Sequence, residues 1–258
     1  MKQTLTTKYR PLDFDSFVGL GPARRLMGQL AAEPYESAWL FVGDSGTGKT
    51  SLALATHAAM GGQLHHIPSR KCDMPTVEST ISKCYYVPML GGWHTVVVDE
   101  ADQMTPAAQL LFLSALDETE RPPSTIFFFT CNDVRRLERR FRSRCKPVTF
   151  DATQLEADGA AHLAKIWEAE CGGLPPDFGQ IMRMVGNNLR SAINVLELEL
   201  MEPGSGLHKP PYTMGDWREE RPARGNVIQM GDLAERRSAA AMKAWETRRK
   251  MKRRRRHA

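Results

Sequence analysis

The sequence predicts an α/β fold: a mainly parallel sheet covered by helices, then a small three-helix unit and a basic C-terminal tail. Three observations carry that reading. Short apolar runs alternate with helix-like stretches through the first 150 residues, as βαβ repetition requires. Two of the runs, VVV at 96–98 and FFF at 127–129, are continuous rather than alternating, as expected of strands buried on both faces. After residue 150 the strand-like runs stop and helical spacing takes over.

Five segments read as strands: AWLFVG (38–43), QLHHIP (63–68), HTVVVDE (94–100), STIFFFT (124–130) and CKPVTF (145–150). Helices are predicted over 21–32, 48–60, 74–84, 105–118 and 133–141. The next unit, 151–202, opens with Thr153 and Glu156 in a Thr-x-x-Glu capping box. Leu155, Leu163, Ile166 and Trp167 follow at roughly helical spacing, and two further helices flank Gly186. Residues 203–231 hold nine Gly or Pro in 29 positions and read as a linker. Residues 232–258 read as a basic helical tail ending in RRRRHA, with Asp232 and Glu235 as candidate caps.

The net charge of +5 is unevenly spread. Residues 1–203 carry 20 Lys/Arg against 24 Asp/Glu, a net of −4, whereas 204–258 carry 15 against 6, a net of +9. The basic excess is therefore a tail property and suits a polyanion. TRRKMKRRRRH (247–257) fits phosphate-backbone binding. A solubilising end and a nuclear import signal remain open beside it, and Trp245 either stacks on a base or docks the helix. The five cysteines, Cys72, Cys84, Cys131, Cys145 and Cys171, form no CxxC pair, which points to reduced thiols in a cell-interior protein. No signal-like start and no long uncharged apolar run is present, so a soluble, cytoplasmic protein without membrane contact is expected.

GDSGTGKT (43–50) fits G-x-x-x-x-G-K-[ST] and lies between a strand and a helix, the context that motif needs. Gly43, Asp44, Ser45, Gly46, Thr47, Gly48 and Ser51 frame a backbone cradle for phosphate oxygens at a helix N-terminus. Lys49 reaches the β- and γ-phosphates of ATP, and the Thr50 hydroxyl ligates Mg²⁺. HTVVVDEAD (94–102) ends a buried strand in Asp99, a helper in holding Mg²⁺, and Glu100, which orients and polarises the attacking water. Together the two motifs predict ATP hydrolysis.

With these motifs in place, the chain resembles the AAA+ clamp-loader ATPases, being similar to the small subunits of replication factor C and to the phage-type subunit over residues 5–202. KYRPLDFDSFVG (8–19) resembles the N-terminal strap over the adenine, which implies nucleotide contacts for Tyr9, Arg10, Pro11, Val18 and Gly19. FFFTCN resembles the sensor 1 strand and implies that Asn132 lies near the γ-phosphate and the attacking water. GNNLRSAINVLE (186–197) resembles the sensor 2 helix, with Arg190 in the sensing position. FRSRC (141–145) resembles the Ser-Arg-Cys element, which implies that Arg144 is an arginine finger entering a neighbour's active site. Arg135, Arg136, Arg139 and Arg140 read as a solvated or intersubunit helix face.

The resemblance implies an AAA+ core over 1–150 and a sensor 2 lid over 151–202. It implies a subunit of a ring, a pentamer of like or related chains, that opens a sliding clamp and loads it onto primer–template DNA. The other readings are a different ring ATPase on DNA, such as a helicase loader or branch-migration motor, and a non-catalytic nucleotide-binding subunit. Clamp-loader subunits carry a helical collar, but only 55 residues follow residue 203, so either the collar is shortened or assembly differs. Bacterial members carry a four-cysteine zinc module between the two motifs. Only Cys72 and Cys84 fall there, so no zinc is expected. His65 and His66, adjacent in a strand, point to opposite faces and make no paired ligand. His57 and His94 read as packing or surface residues.

Overall fold

The computed structural model describes residues 3–89, 91–151, 155–170 and 175–201. The linker, the basic tail, Thr153 and Cys171 lie outside them. Five strands, β1 (Ser37–Gly43), β2 (Gln63–Ile67), β3 (His94–Val98), β4 (Thr125–Cys131) and β5 (Lys146–Phe150), form one sheet in the order β2-β3-β4-β1-β5. Every pairing is parallel. Around them run α1 (Leu5–Lys8), α2 (Gly21–Ala32), α3 (Lys49–Met60), α4 (Met74–Cys84), α5 (Pro106–Ala115) and α6 (Arg139–Arg144). They are followed by α7 (Leu155–Glu170), α8 (Phe178–Met184) and α9 (Leu189–Met201).

The continuous apolar runs split by strand alternation, one residue to each face. Leu40, Val96, Val98, Phe127 and Phe129 pack with Phe112 and Phe141 on one face. Trp39, Phe41, Val97, Phe128 and Phe150 pack with Met27 and Leu52 on the other. Phe129 is fully buried, its ring edge-on to Phe112 at 5.1 Å and to Phe141 at 4.8 Å. Phe129→Ala removes both contacts and leaves a cavity, so an unfolding cost of about 3–5 kcal/mol is expected, read as a lowered urea midpoint at unchanged slope.

Two elements differ from the sequence expectation. The helix expected over 133–141 is instead a single 3₁₀ turn, Val134–Arg136, followed by α6. Burial of Leu137, in extended conformation between them, breaks the helical path. The strand expected to reach Glu100 ends at Val98, because Glu100 takes a left-handed conformation (φ 49°).

Helices α7, α8 and α9 have a core of their own, with Leu163, Ile166, Trp167, Met182, Ala192 and Leu196 buried together. Leu5 of α1 belongs to this cluster rather than to the sheet. The start of the chain is also tied there by polar contacts. Lys8 Nζ and Tyr9 Oη both donate to Glu170 Oε1, at 2.6 and 2.7 Å, and Leu5 N donates to Glu197 Oε2 at 3.4 Å. Among the described residues, no helix is long and apolar enough to cross a membrane.

Candidate functional site: a phosphate cradle at the strand ends

β4 lies between β1 and β3, so the chain leaves β1 for one side of the sheet and ends β3 on the other side of β4. Crevices for ligands form where strand order switches in this way, at the carboxyl ends of the strands. Gly43, Asp99 and Asn132 follow or close these three strand ends.

After β1 the chain turns through Gly46 (φ 79°) and Gly48 (φ 91°), both in the region that only glycine enters freely. This turns backbone N–H groups toward one point at the start of α3, the arrangement that receives phosphate oxygens. Lys49 is buried, and its Nζ donates to the carbonyls of Gly43 and Asp44, both at 2.8 Å, and to Asn132 Oδ1 at 2.9 Å. Burial pushes the Lys49 ammonium below its usual range, against the opposing pull of Asp44. An anion at the cradle would restore the favourable environment that burial removes.

Thr50 Oγ1 donates to Asp99 Oδ1 at 2.6 Å. A hydroxyl and a carboxylate meeting beside a phosphate cradle form a fitting oxygen donor set for Mg²⁺, which takes one or two protein oxygens and fills the rest with water and phosphate. Burial acts to raise Asp99, but hydrogen bonds from His66, Thr50 and Thr130 outweigh it and hold the carboxyl below the usual range. Asp99 is therefore an anion at neutral pH. Glu100 follows with an exposed side chain, its backbone N held by Thr130 Oγ1 at 3.0 Å.

A cavity of about 570 Å³ joins these groups to the N-terminal segment and the helical unit. Tyr9, Arg10, Pro11 and Val18 line it from one side, and Arg190 of α9 from another. Ser45, Gly46, Thr47, Gly48, Lys49, Thr50, Ser51, Asp99, Glu100 and Asn132 form its floor. Gly19, Gly43 and Asp44 are not on the wall; Gly43 and Asp44 act through the carbonyls that hold Lys49. Arg144 is also away from this cavity. It stands at the end of α6, partly exposed, donating from Nη2 to Asp117 Oδ2 at 3.1 Å and from Nη1 to Arg140 O at 3.4 Å. Of the other arginines in the run, Arg135 is committed to Asp133, whose carboxyl it draws down to about 2, and Arg136 donates to Gln103 Oε1.

Four residues to which the sequence assigns no role at this site take part. His66 Nε2 sits 2.6 Å from Asp99 Oδ2, the carboxylate oxygen that Thr50 does not hold. Thr130 bridges Asp99 and the Glu100 backbone. Asp102 Oδ1 accepts from Asn132 N at 3.2 Å. Asn188 uses Oδ1 to accept from Ser191 N at the start of α9, while its Nδ2 donates to Ser45 O at 2.8 Å and so ties the helical unit to the cradle. An Asn three residues before a helical Ser is a cap signal, but nothing local shows that its amide also reaches Ser45.

Residues 39–151 match the family described as "ATPase family associated with various cellular activities (AAA)". The chain is 27% identical over 200 residues to replication factor C subunit 3 of Blastobotrys adeninivorans, covering 74% of this chain and 58% of that one. It is 28% identical to the replication factor C small subunit of Archaeoglobus fulgidus, covering 74% and 61%. It is 22% identical over 223 residues to the DNA polymerase III subunit gamma of Buchnera aphidicola, covering 76% and 60%. The chain thus spans about three-fifths of the length of these relatives. Among solved structures, the Thermotoga maritima RuvB Holliday junction branch migration motor shares the fold, with TM-score 0.56 and 16% identity over 73% of this chain and 64% of that one.

Proposed function

From the AAA match over residues 39–151 and the similarity to clamp-loader subunits, we propose that the chain is an AAA ATPase that hydrolyses ATP as a subunit of a sliding-clamp loader acting on primer–template DNA. The observation that carries the ATPase reading is the convergence of Lys49, Thr50, Asp99, Glu100 and Asn132 on one floor under a single cavity. The clamp-loader reading draws on the similarity to replication factor C and polymerase III gamma subunits.

In this reading the glycine-bearing turn binds the β- and γ-phosphates through backbone N–H groups, and Lys49 turns its ammonium from the Gly43 and Asp44 carbonyls toward them. Thr50 and Asp99 would hold Mg²⁺, which when bound neutralises charge on the phosphate oxygens. Glu100 accepts hydrogen bonding from the attacking water and aligns it, while Asn132, fixed by Asp102, orients that water against the γ-phosphorus. Tyr9, Arg10, Pro11 and Val18 close over the base, and Arg190 brings a cation from the helical unit to the phosphates. Arg144, away from its own cavity, serves the site of a neighbouring subunit in a ring that also grips the clamp and DNA.

Steady-state hydrolysis by the purified chain, alone and with its replication partners, tests this. The expected result is ATP turnover that rises with primer–template DNA and rises again with the ring clamp of the same source. DNA-stimulated turnover indifferent to any clamp, with no clamp retained on a column of the immobilised chain, would indicate another ring motor.

A further inference from the structure

His65 and His66 leave β2 on opposite faces, and while His66 meets Asp99, His65 meets a different pair of side chains. The register sets His94 of β3 opposite Gln63, two residues from His65 on the same face. Cys84, the last residue of α4, packs against that face. One ligand atom from each of His65, Cys84 and His94 lies within 4.8 Å of the other two. Cys84 and His94 are buried, and His65 is partly so.

From this cluster we propose that His65, Cys84 and His94 bind one divalent cation of the zinc class, independently of the nucleotide site. The His94 tautomer already suits it. His94 Nε2 is 2.8 Å from the Tyr86 carbonyl, which can only accept, so Nε2 carries the proton and Nδ1 presents its lone pair to the cluster. A ring nitrogen fixed by a backbone carbonyl is the usual outer support of a metal-bound histidine. His65 Nε2 donates to that lone pair at 3.0 Å, so the His65 ring must shift its proton to Nδ1 to ligate. Two imidazoles and one sulfur are a borderline-soft set, favouring zinc over magnesium or calcium.

Burial, with the nearby His94 and Lys83, lowers His65 to about 4, so its ring is neutral at physiological pH. Burial raises the Cys84 thiol to about 12 despite a hydrogen bond with Thr125, so binding must displace a tightly held thiol proton. The three ligand atoms lie within 4.8 Å of one another with the two ring nitrogens at 3.0 Å, so bonds of about 2.0–2.3 Å need side-chain adjustment rather than a backbone change.

The cation would join β2, β3 and the end of α4 at the root of the segment after α4. That segment exposes Tyr85, Tyr86, Val87 and Met89, and the Tyr86 carbonyl is the group that fixes His94. The bound metal would thereby fix the path of an apolar surface segment.

The test is cobalt(II) titration of the full chain after removal of metals by a chelator. Expected is one equivalent bound, with a thiolate-to-cobalt charge-transfer band that zinc bleaches. Cys84→Ala loses the band, and His65→Gln, at a partly exposed position that folding tolerates, weakens binding by more than the roughly 10–100-fold typical of an outer-shell change. No charge-transfer band in the wild-type chain overturns the site and leaves a hydrogen-bonded histidine pair. So does a band that survives Cys84→Ala or is unaffected by His65→Gln in chains whose circular dichroism matches wild type.

Discussion

Arg144→Ala in the assembled ring is expected to lower ATP turnover by about 10³–10⁵-fold, the range over which arginine fingers act. The argument rests on position. The guanidinium is partly exposed, outside its own cavity, and among the described residues is held by an ion pair with Asp117 and a long contact to the Arg140 carbonyl. Exposed pairs of this kind contribute little, so leaving Asp117 to engage a neighbour's phosphate costs little. Arg144→Ala should bind ATP like wild type, because every group on its own cavity floor is intact. Mixing it with a Glu100→Gln partner that retains Arg144 should restore turnover, since each chain then supplies what the other lacks. Wild-type turnover by Arg144→Ala in every mixture would reduce FRSRC to a basic surface loop.

Glu100→Gln should leave nucleotide binding near wild type and slow single-turnover hydrolysis by about 10²–10⁴-fold, the usual contribution of a positioned general base. The structure singles out this carboxylate through its backbone. A non-glycine residue at φ 49° is uncommon, and a sparsely populated backbone state of this kind costs about 1–3 kcal/mol. The Thr130 hydroxyl holds the Glu100 N–H and also touches Asp99, so one side chain orients both acidic residues. Glutamine preserves this geometry while removing the basic oxygen. Fluorescent-nucleotide affinity measured alongside single-turnover rates separates the two effects, and an unchanged chemical rate would remove Glu100 from the mechanism.

What could be read from the sequence follows from where the information is local. The VVV and FFF runs mark buried parallel strands because each residue's burial is written in its own side chain, and the sheet uses both runs that way. The phosphate turn is likewise contiguous. The contributions of His66, Thr130, Asp102 and Asn188 depend on strand order and on a helix returning to the cradle, so no spacing announces them. Opposite-face geometry correctly separates His65 from His66. It cannot show that parallel pairing brings His94 to His65, or that α4 ends with Cys84 over both. The predicted helix over 133–141 failed for the same reason, since burial of Leu137 is a tertiary demand that local helix propensity does not contain.

The attachment of α1 has a mechanical consequence. Leu5 shares a core with α7–α9, and Lys8 and Tyr9 are both anchored on Glu170, so the first described residues of the chain are built into its helical unit and not into the sheet that follows them in sequence. The changeover lies between Tyr9 and Phe14, since Phe14 and Phe17 already pack with the core of the sheet. Tyr9 and Arg190, far apart along the chain, thus form one jaw, with the cradle as the other, and Asn188 on Ser45 is the latch between them. On the proposed reading, a nucleotide with its base against Tyr9 and its phosphates in the cradle would bridge the two jaws and join the helical unit to the sheet.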